Sequence, residues 1–170
     1  MSGLLLLETV SRFARTALER VYVERLRREV RSRPVPRHVA VILDGNRRHA
    51  RALGLAAGRG HVLGSEILER LLDWCRAIEV HTLTVYALST ENLGRTSEEV
   101  TALMDLFARK FEDLVRDDRV HRNRIRIRVL GRPELLRDDV AEAARRAERA
   151  TAAYDGFEFR ICLGYGARQE

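Results

Sequence analysis

The stretch that decides the fold is His38-Val39-Ala40-Val41-Ile42-Leu43-Asp44-Gly45-Asn46-Arg47-Arg48-His49-Ala50. Residues 38–43 are a short apolar, β-branched run, consistent with a buried parallel strand. The run ends in an acid, a glycine and a polar turn, then opens into Arg-rich chain. In open α/β sheets, ligands sit outside the carboxyl ends of strands, where helix N-termini offer free N–H groups to anions. Gly45 lets the backbone approach a phosphate, and Arg47, Arg48 and Arg51 can reach its oxygens. Asp44 would repel a bare phosphate, so at such a site it makes sense chiefly as a ligand for a bridging Mg2+. Asp-Gly-Asn is also ordinary turn chemistry, and spacing alone leaves both readings open.

Downstream the pattern alternates helix and strand. Ile67, Leu68, Leu71, Leu72 and Cys75 recur at helical spacing and predict a helix over residues 65–77. A second strand follows over residues 82–88. Thr96 and Glu99 read as a capping box for a helix whose buried stripe is Val100, Leu103, Met104, Phe107, Phe111 and Leu114. A strand over 124–130, a helix over 138–153 and a strand over 157–163 complete the pattern. The fold class expected is α/β: a mainly parallel sheet with helices on both faces. Arg122, Arg124, Arg126 and Arg128 alternate with Ile125 and Ile127. They read as one face of a strand near a sheet edge, solvated or paired with acids, or as a nucleic-acid contact.

The second strand ends in Tyr86-Ala87-Leu88-Ser89-Thr90-Glu91-Asn92-Leu93-Gly94-Arg95. Hydroxyls, an amide and an Arg therefore follow a second strand end, and in a parallel sheet both ends should face the same side. With these two motifs the chain resembles the cis-prenyltransferases, the undecaprenyl diphosphate synthase family. The first is similar to that family's His-Val-Ala-hydrophobic-Asp-Gly-Asn-Gly/Arg-Arg-aromatic-Ala, the second to its Tyr-Ala-Phe-Ser-Ser/Thr-Glu-Asn-Trp/Phe-x-Arg. The likeness continues through Gly60-His61 ahead of the first long helix and through Glu99-Val100-x-x-Leu103-Met104-x-Leu106-Phe107. It reaches Tyr165-Gly166-Ala167-Arg168, like the family's Tyr-Gly-Gly-Arg. Arg47-Arg48 resembles archaeal and eukaryotic members more than most bacterial ones.

The resemblance implies condensation of isopentenyl diphosphate with an allylic prenyl diphosphate, forming new cis double bonds. Asp44 would hold Mg2+ against the allylic diphosphate, with Asn92 assisting proton removal or orienting the diphosphate; these two are the catalytic candidates. Gly45, Asn46, Arg47, Arg48 and His49 would cradle the diphosphate. Ser89, Thr90, Glu91, Leu93 and Arg95 would complete that wall, with His61 at the pocket mouth. Ionising an allylic C–O bond needs stabilisation of the leaving group more than a protein nucleophile, so the lack of a nucleophilic triad is no objection. Leu71, Leu103 and Phe107 are candidates for an apolar tunnel, or for ordinary core.

Some positions depart from the family pattern. His49, Leu88 and Leu93 stand where aromatic residues are usual, and Ala57 where an Arg is usual, with Arg59 as a candidate substitute. Nothing after Tyr165 matches the family's Arg-Thr/Ser-Gly-x-x-Arg-hydrophobic-Ser pattern for isopentenyl diphosphate, its metal-binding Glu or much of its dimer interface. The resemblance therefore implies a homodimer in the full-length form and an incomplete C-terminus here, leaving the fourth strand as an exposed edge. An inactive subunit of the same family is the first rival reading.

The second rival, a nucleic-acid binder, is disfavoured by charge. The 170 residues carry a formal +6, of which residues 1–37 supply +5 and residues 38–170 only +1. No aromatic residues interleave with the arginines for base stacking. Domain organisation divides at residues 1–35, a helical basic segment, and 36–170, the α/β domain. Leu6, Leu7, Val10, Phe13, Ala14, Ala17, Leu18 and Val21 recur at helical spacing. After Tyr22 the stripe gives way to Arg25, Arg27, Arg28, Arg31 and Arg33. The segment reads as a helix docked on protein or as a peripheral contact of residues 1–33 with an acidic membrane face. The lipid product of the family implies the cytoplasmic side of that membrane. Cys75 and Cys162 lack CxxC spacing and are expected as buried thiols in a reducing compartment.

Overall fold

The structure, a computed structural model, describes residues 18–166. A helix covers residues 18–31 (α1). It is followed by β1 (His38–Ile42), α2 (Asn46–Ala52), α3 (Ala57–Ala77), β2 (Thr82–Ser89), α4 (Ser97–Arg116), α5 (Asp118–Arg122), β3 (Ile125–Gly131), α6 (Asp138–Thr151) and β4 (Phe157–Tyr165). One-turn helices at Thr90–Gly94 and Pro133–Leu135 follow β2 and β3. The four strands are all parallel in the order β1-β2-β4-β3, so the α/β class with a parallel sheet holds.

Register explains how alternation along each strand becomes a core. Val39, Leu83, Phe159 and Ile127 stand in one row across the sheet, and Val41, Val85, Ile161 and Val129 in another. Both rows belong to the cluster that also takes Leu103, Met104 and Phe111 of α4, Cys75 of α3 and Val140, Ala144 and Ala147 of α6. Each fully buried side chain of this size contributes roughly 1.5–3 kcal/mol. The opposite face carries the rows His38, Thr82, Glu158, Arg126 and Ala40, Thr84, Arg160, Arg128. These residues are half-buried or exposed. Among the described residues, then, the helical cover expected on both faces is found on one.

Two strands differ from expectation for related reasons. β4 is interior, between β2 and β3, rather than an exposed edge, because Phe157, Phe159, Ile161, Cys162 and Leu163 are buried on both sides of it. β1 is an edge rather than a fully buried strand, with Ile42 73% exposed. β3 is the other edge, as its arginines suggested: Arg124 pairs with Asp155 at 2.7 Å and Arg128 with Glu158 at 3.7 Å. Its free amides are occupied by α6, which covers the edge. Ile127 N–H donates to Thr151 Oγ1 at 3.0 Å and Val129 N–H to Glu148 Oε1 at 2.9 Å.

α3 begins eight residues before the predicted helix, at Ala57. Gly60 and Gly64 lie on the face that receives α2. A Cβ on Gly64 would sit 2.7 Å from Asn46 Nδ2 and Oδ1, and one on Gly60 would sit 2.9 Å from Ala50 Cβ and closer still to the Asn46 carbonyl. The glycines are therefore there for close approach. Cys75 and Cys162 are buried, free thiols, and burial pushes the Cys75 thiol up. At the other end of the chain, α1 continues through the Arg25–Arg31 run, while the predicted stripe over residues 6–17 lies outside the described residues.

Candidate active site

The β1 end builds the first wall. Gly45 caps α2 with φ of 89°, a left-handed conformation that costs a Cβ-bearing residue. This turn points the first amides of α2 past the strand end. Asp44 is mostly exposed; its Oδ1 accepts from Gly45 N–H at 2.5 Å and its Oδ2 from Arg48 Nη2 at 3.1 Å. The Gly45 amide first, and the Arg48 charge second, hold the Asp44 carboxyl below the usual carboxylate range. Asn46 opens α2 and is seated on the Gly60–Gly64 side of α3.

The β2 end builds the second wall. Ser89 Oγ accepts from Asn92 N–H at 3.1 Å, while Asn92 Oδ1 accepts from Ser89 N–H at 3.3 Å. This reciprocal pair closes the one-turn helix Thr90–Gly94. With its oxygen committed to the backbone, the Asn92 amide has its Nδ2 donor left to offer a ligand. That suits orienting a diphosphate oxygen rather than taking a proton. Thr90 and Leu93 are half-buried and Glu91 is exposed. Leu93 packs against the core, and the Tyr86 hydroxyl donates to the Tyr165 carbonyl at 2.7 Å.

The two walls and α3 meet at a residue that was not among the candidates. Glu99 in α4 has a side chain only 11% exposed. Its Oε1 accepts from His61 Nε2 at 3.1 Å and from Arg95 Nη1 at 2.9 Å, and its Oε2 faces Arg47 Nη1 at 3.9 Å. Burial raises the Glu99 carboxyl, but the His61 hydrogen bond and the Arg95 and Arg47 charges outweigh that and hold it low. Sequence reasoning used Glu99 as the far half of a capping box. Thr96 Oγ1 does accept from Glu99 N–H at 3.4 Å, but the carboxylate turns inward to His61, Arg95 and Arg47. The signal that could have found it was an Arg four residues ahead of the Glu, just before the helix starts at Ser97.

The structure thus brings Asn46, Arg47, His61, Asn92 and Arg95 into one neighbourhood and places Asp44 and Arg48 at its rim. His61 lies inside α3 rather than ahead of it. His49 and Arg59 point to solvent, and neither joins the Glu99 cluster. Arg168 lies outside the described residues. Beside the cluster is a cavity of about 450 Å³ whose lining includes Asn46 and His61. Leu68, Leu72, Leu103, Phe107, Phe111 and Ile161 line its apolar length. Leu103 and Phe107 line it as expected, whereas Leu71 does not and belongs to the core edge. Among the described residues no three His, Cys, Asp or Glu side chains gather to hold a metal. Asp44 is the acidic candidate at the rim, beside Arg48.

A polar crown of cationic groups over an apolar slot, at the carboxyl ends of two parallel strands, matches a known family. The Prenyltransf family model, described as "Putative undecaprenyl diphosphate synthase", matches residues 42–170. The chain belongs to the undecaprenyl diphosphate synthase family. It is 52% identical over 149 residues to the tritrans,polycis-undecaprenyl-diphosphate synthase (geranylgeranyl-diphosphate specific) of Thermococcus kodakarensis, covering 88% of this chain and 56% of that protein. It is 44% identical over 150 residues to an isoprenyl transferase of Thermus thermophilus, covering 88% of this chain and 57% of the relative. Among solved structures, lavandulyl diphosphate synthase from Lavandula x intermedia, in complex with dimethylallyl diphosphate, superimposes with a TM-score of 0.73 at 29% identity. That match covers 83% of this chain and 58% of the plant enzyme. This undecaprenyl diphosphate synthase family chain spans little more than half the length of the curated relatives it matches.

Proposed function

We propose that this chain binds an allylic prenyl diphosphate and takes part in its condensation with isopentenyl diphosphate to a cis-polyprenyl diphosphate. The observation that carries the reading is the convergence of both strand ends and α3 on Glu99, beside an apolar cavity. The relative named as geranylgeranyl-diphosphate specific makes geranylgeranyl diphosphate the allylic substrate of choice.

In this reading the prenyl tail enters the cavity past Asn46 and His61, and the diphosphate stays in the crown. Arg47, half-exposed and 3.9 Å from Glu99, is loosely held and can swing to a phosphate oxygen. Arg95, at 2.9 Å, is fixed by Glu99 and presents its remaining N–H donors. Glu99 is a positioning residue: it sets the direction of three side chains. Asp44, held by the Gly45 amide, and the Asn46 amide frame the leaving group, and Asn92 Nδ2 orients it.

During reaction the allylic C–O bond breaks and the diphosphate leaves with its electron pair. The allylic carbon bonds to the terminal alkene carbon of isopentenyl diphosphate, and a proton lost from the adjacent CH2 restores a double bond. Preorganised donors aimed at the departing diphosphate are the largest contribution such a site can make. Asp44 would hold Mg2+ carried in on the diphosphate, and the bound ion would neutralise charge on the leaving group. A single ionised, exposed carboxylate fits this, because Mg2+ is commonly held by one or two carboxylates with phosphates and waters. The test is incorporation of radiolabelled isopentenyl diphosphate into solvent-extractable lipid with geranylgeranyl diphosphate and Mg2+. Label is expected with the unaltered chain and lost in Asp44→Ala; label that persists in Asp44→Ala or without metal overturns the reading.

A further inference from the structure

Tyr86 opens the motif at the end of β2 and Tyr165 closes β4; the mechanism proposed above uses neither. Tyr86 lies two positions beyond Thr84, on the face of the sheet away from the helices. Its register partners are Ile42 of β1 and Cys162 of β4. Beyond this row the ladder between β2 and β4 is irregular. The pairs run Tyr86 with Cys162, Leu88 with Leu163 and Ser89 with Tyr165, so Ala87 and Gly164 fall out of register. Gly164 takes a left-handed φ of 61°, which glycine adopts at little cost. Such shifts disrupt the ladder locally and re-aim the side chains that follow. The Tyr86 side chain spans the irregular stretch. Its hydroxyl donates to the Tyr165 carbonyl at 2.7 Å, and the two rings meet edge to face at 5.8 Å and 89°, a favoured aromatic arrangement. Burial first and the Glu91 charge second push the Tyr86 phenol up, so the hydroxyl stays a donor at neutral pH.

We propose that Tyr86 is a positioning residue for the diphosphate, its hydroxyl fixing the direction of Asn92 through the Tyr165 carbonyl. This rests on the diphosphate-binding function proposed above. The connection runs in three steps. Tyr86 holds the Tyr165 carbonyl. Tyr165 stands opposite Ser89 in the ladder. Ser89 and Asn92 then bind one another: Asn92 N–H donates to Ser89 Oγ at 3.1 Å, and Ser89 N–H to Asn92 Oδ1 at 3.3 Å. The Asn92 Nδ2 donor is therefore aimed by where the Ser89 backbone lies, and Tyr86 ties that backbone to β4 across the stretch where regular pairing fails. Leu68, Leu72, Phe107 and Phe111, on the cavity's apolar wall, come instead from α3 and α4. Loss of the hydroxyl thus acts on the head of a prenyl diphosphate and spares its tail.

Tyr86→Phe tests this in the full chain, by titration calorimetry with geranylgeranyl diphosphate and with geranylgeraniol, both in the presence of Mg2+. The variant keeps the ring and removes the hydrogen bond to the Tyr165 carbonyl. Affinity for the diphosphate ester is expected to fall about ten-fold, the order of one well-placed hydrogen bond, with affinity for the alcohol unchanged. Hydrogen exchange at the Asn92 amide of the ligand-free chain is expected to quicken in the variant, because the bond to Ser89 opens more often. A variant that binds both ligands like the unaltered chain overturns the proposal, as does unchanged exchange at Asn92. An equal loss for the two ligands also overturns it, since the tyrosine then supports the fold as a whole. An unaltered chain that binds the diphosphate ester no more tightly than the alcohol overturns the function on which the proposal rests, and the proposal with it.

Discussion

Gly58→Ala and Gly60→Ala are the same chemical change two residues apart in α3, and the structure assigns them opposite effects. At Gly58 the new Cβ meets only Ala102 Cβ at 3.5 Å, an ordinary contact. Alanine should therefore return up to about 1 kcal/mol of helix propensity, raising Tm by about 2–4 °C for a chain of this size. At Gly60 the Cβ would stand 2.9 Å from Ala50 Cβ and nearer still to the Asn46 carbonyl. Relief requires α2 to move by about 1 Å, with overpacking costs of about 1–3 kcal/mol against the same gain of about 1. The net expectation is a Tm lowered by up to about 8 °C. α2 carries Asn46, Arg47 and Arg48, and a misplacement of about 1 Å can cost roughly 100-fold at a catalytic or binding centre. Differential scanning calorimetry reads the first effect, and titration with geranylgeranyl diphosphate reads the second. A Gly60→Ala variant as stable as Gly58→Ala, binding like the unaltered chain, would refute the close-approach role of the glycines.

Arg47→Ala removes a half-exposed group and should leave stability within about 0.5 kcal/mol while lowering prenyl diphosphate affinity at least about ten-fold; calorimetry separates the two. Glu99 binds its proton less readily folded than unfolded, so its stabilising contribution is present above the ordinary Glu range. That contribution is lost as pH falls through its lowered folded value. Acid titrations of unfolding free energy should therefore show a shallower decline below about pH 4.3 in Glu99→Gln than in the unaltered chain. Thr151→Val leaves the Ile127 amide, now bonded at 3.0 Å in a fully buried position, without its acceptor. A loss of about 1–3 kcal/mol and faster hydrogen exchange at Ile127 are expected.

Most of the fold was readable because strand alternation and the helical stripes are strong signals in this chain. Strand order was not, since it depends on which strand the other elements bury. The apolar residues on both sides of β4 and the arginines on one side of β3 were the clues to an interior and an edge strand. The length of α3 was hidden by its glycines, which are weak helix formers and in space are the seat of Asn46. The two strand-end motifs located the crown, whereas its centre at Glu99 was masked by a local pattern that fitted helix capping equally well. His49 and Arg59 show the converse. Both lie within or beside motif residues, yet a helix turn carries each of them away from the cluster.

The central claim is that one crown reads the diphosphate and the adjoining cavity reads the tail. Isothermal titration of the chain with geranylgeranyl diphosphate, geranylgeraniol and inorganic diphosphate, each with and without Mg2+, tests it most directly. The account predicts that geranylgeranyl diphosphate binds more tightly than either half, with Mg2+ dependence that disappears in Asp44→Ala. Equal binding of the alcohol and the diphosphate ester, or binding indifferent to Mg2+ and to Asp44, would contradict it.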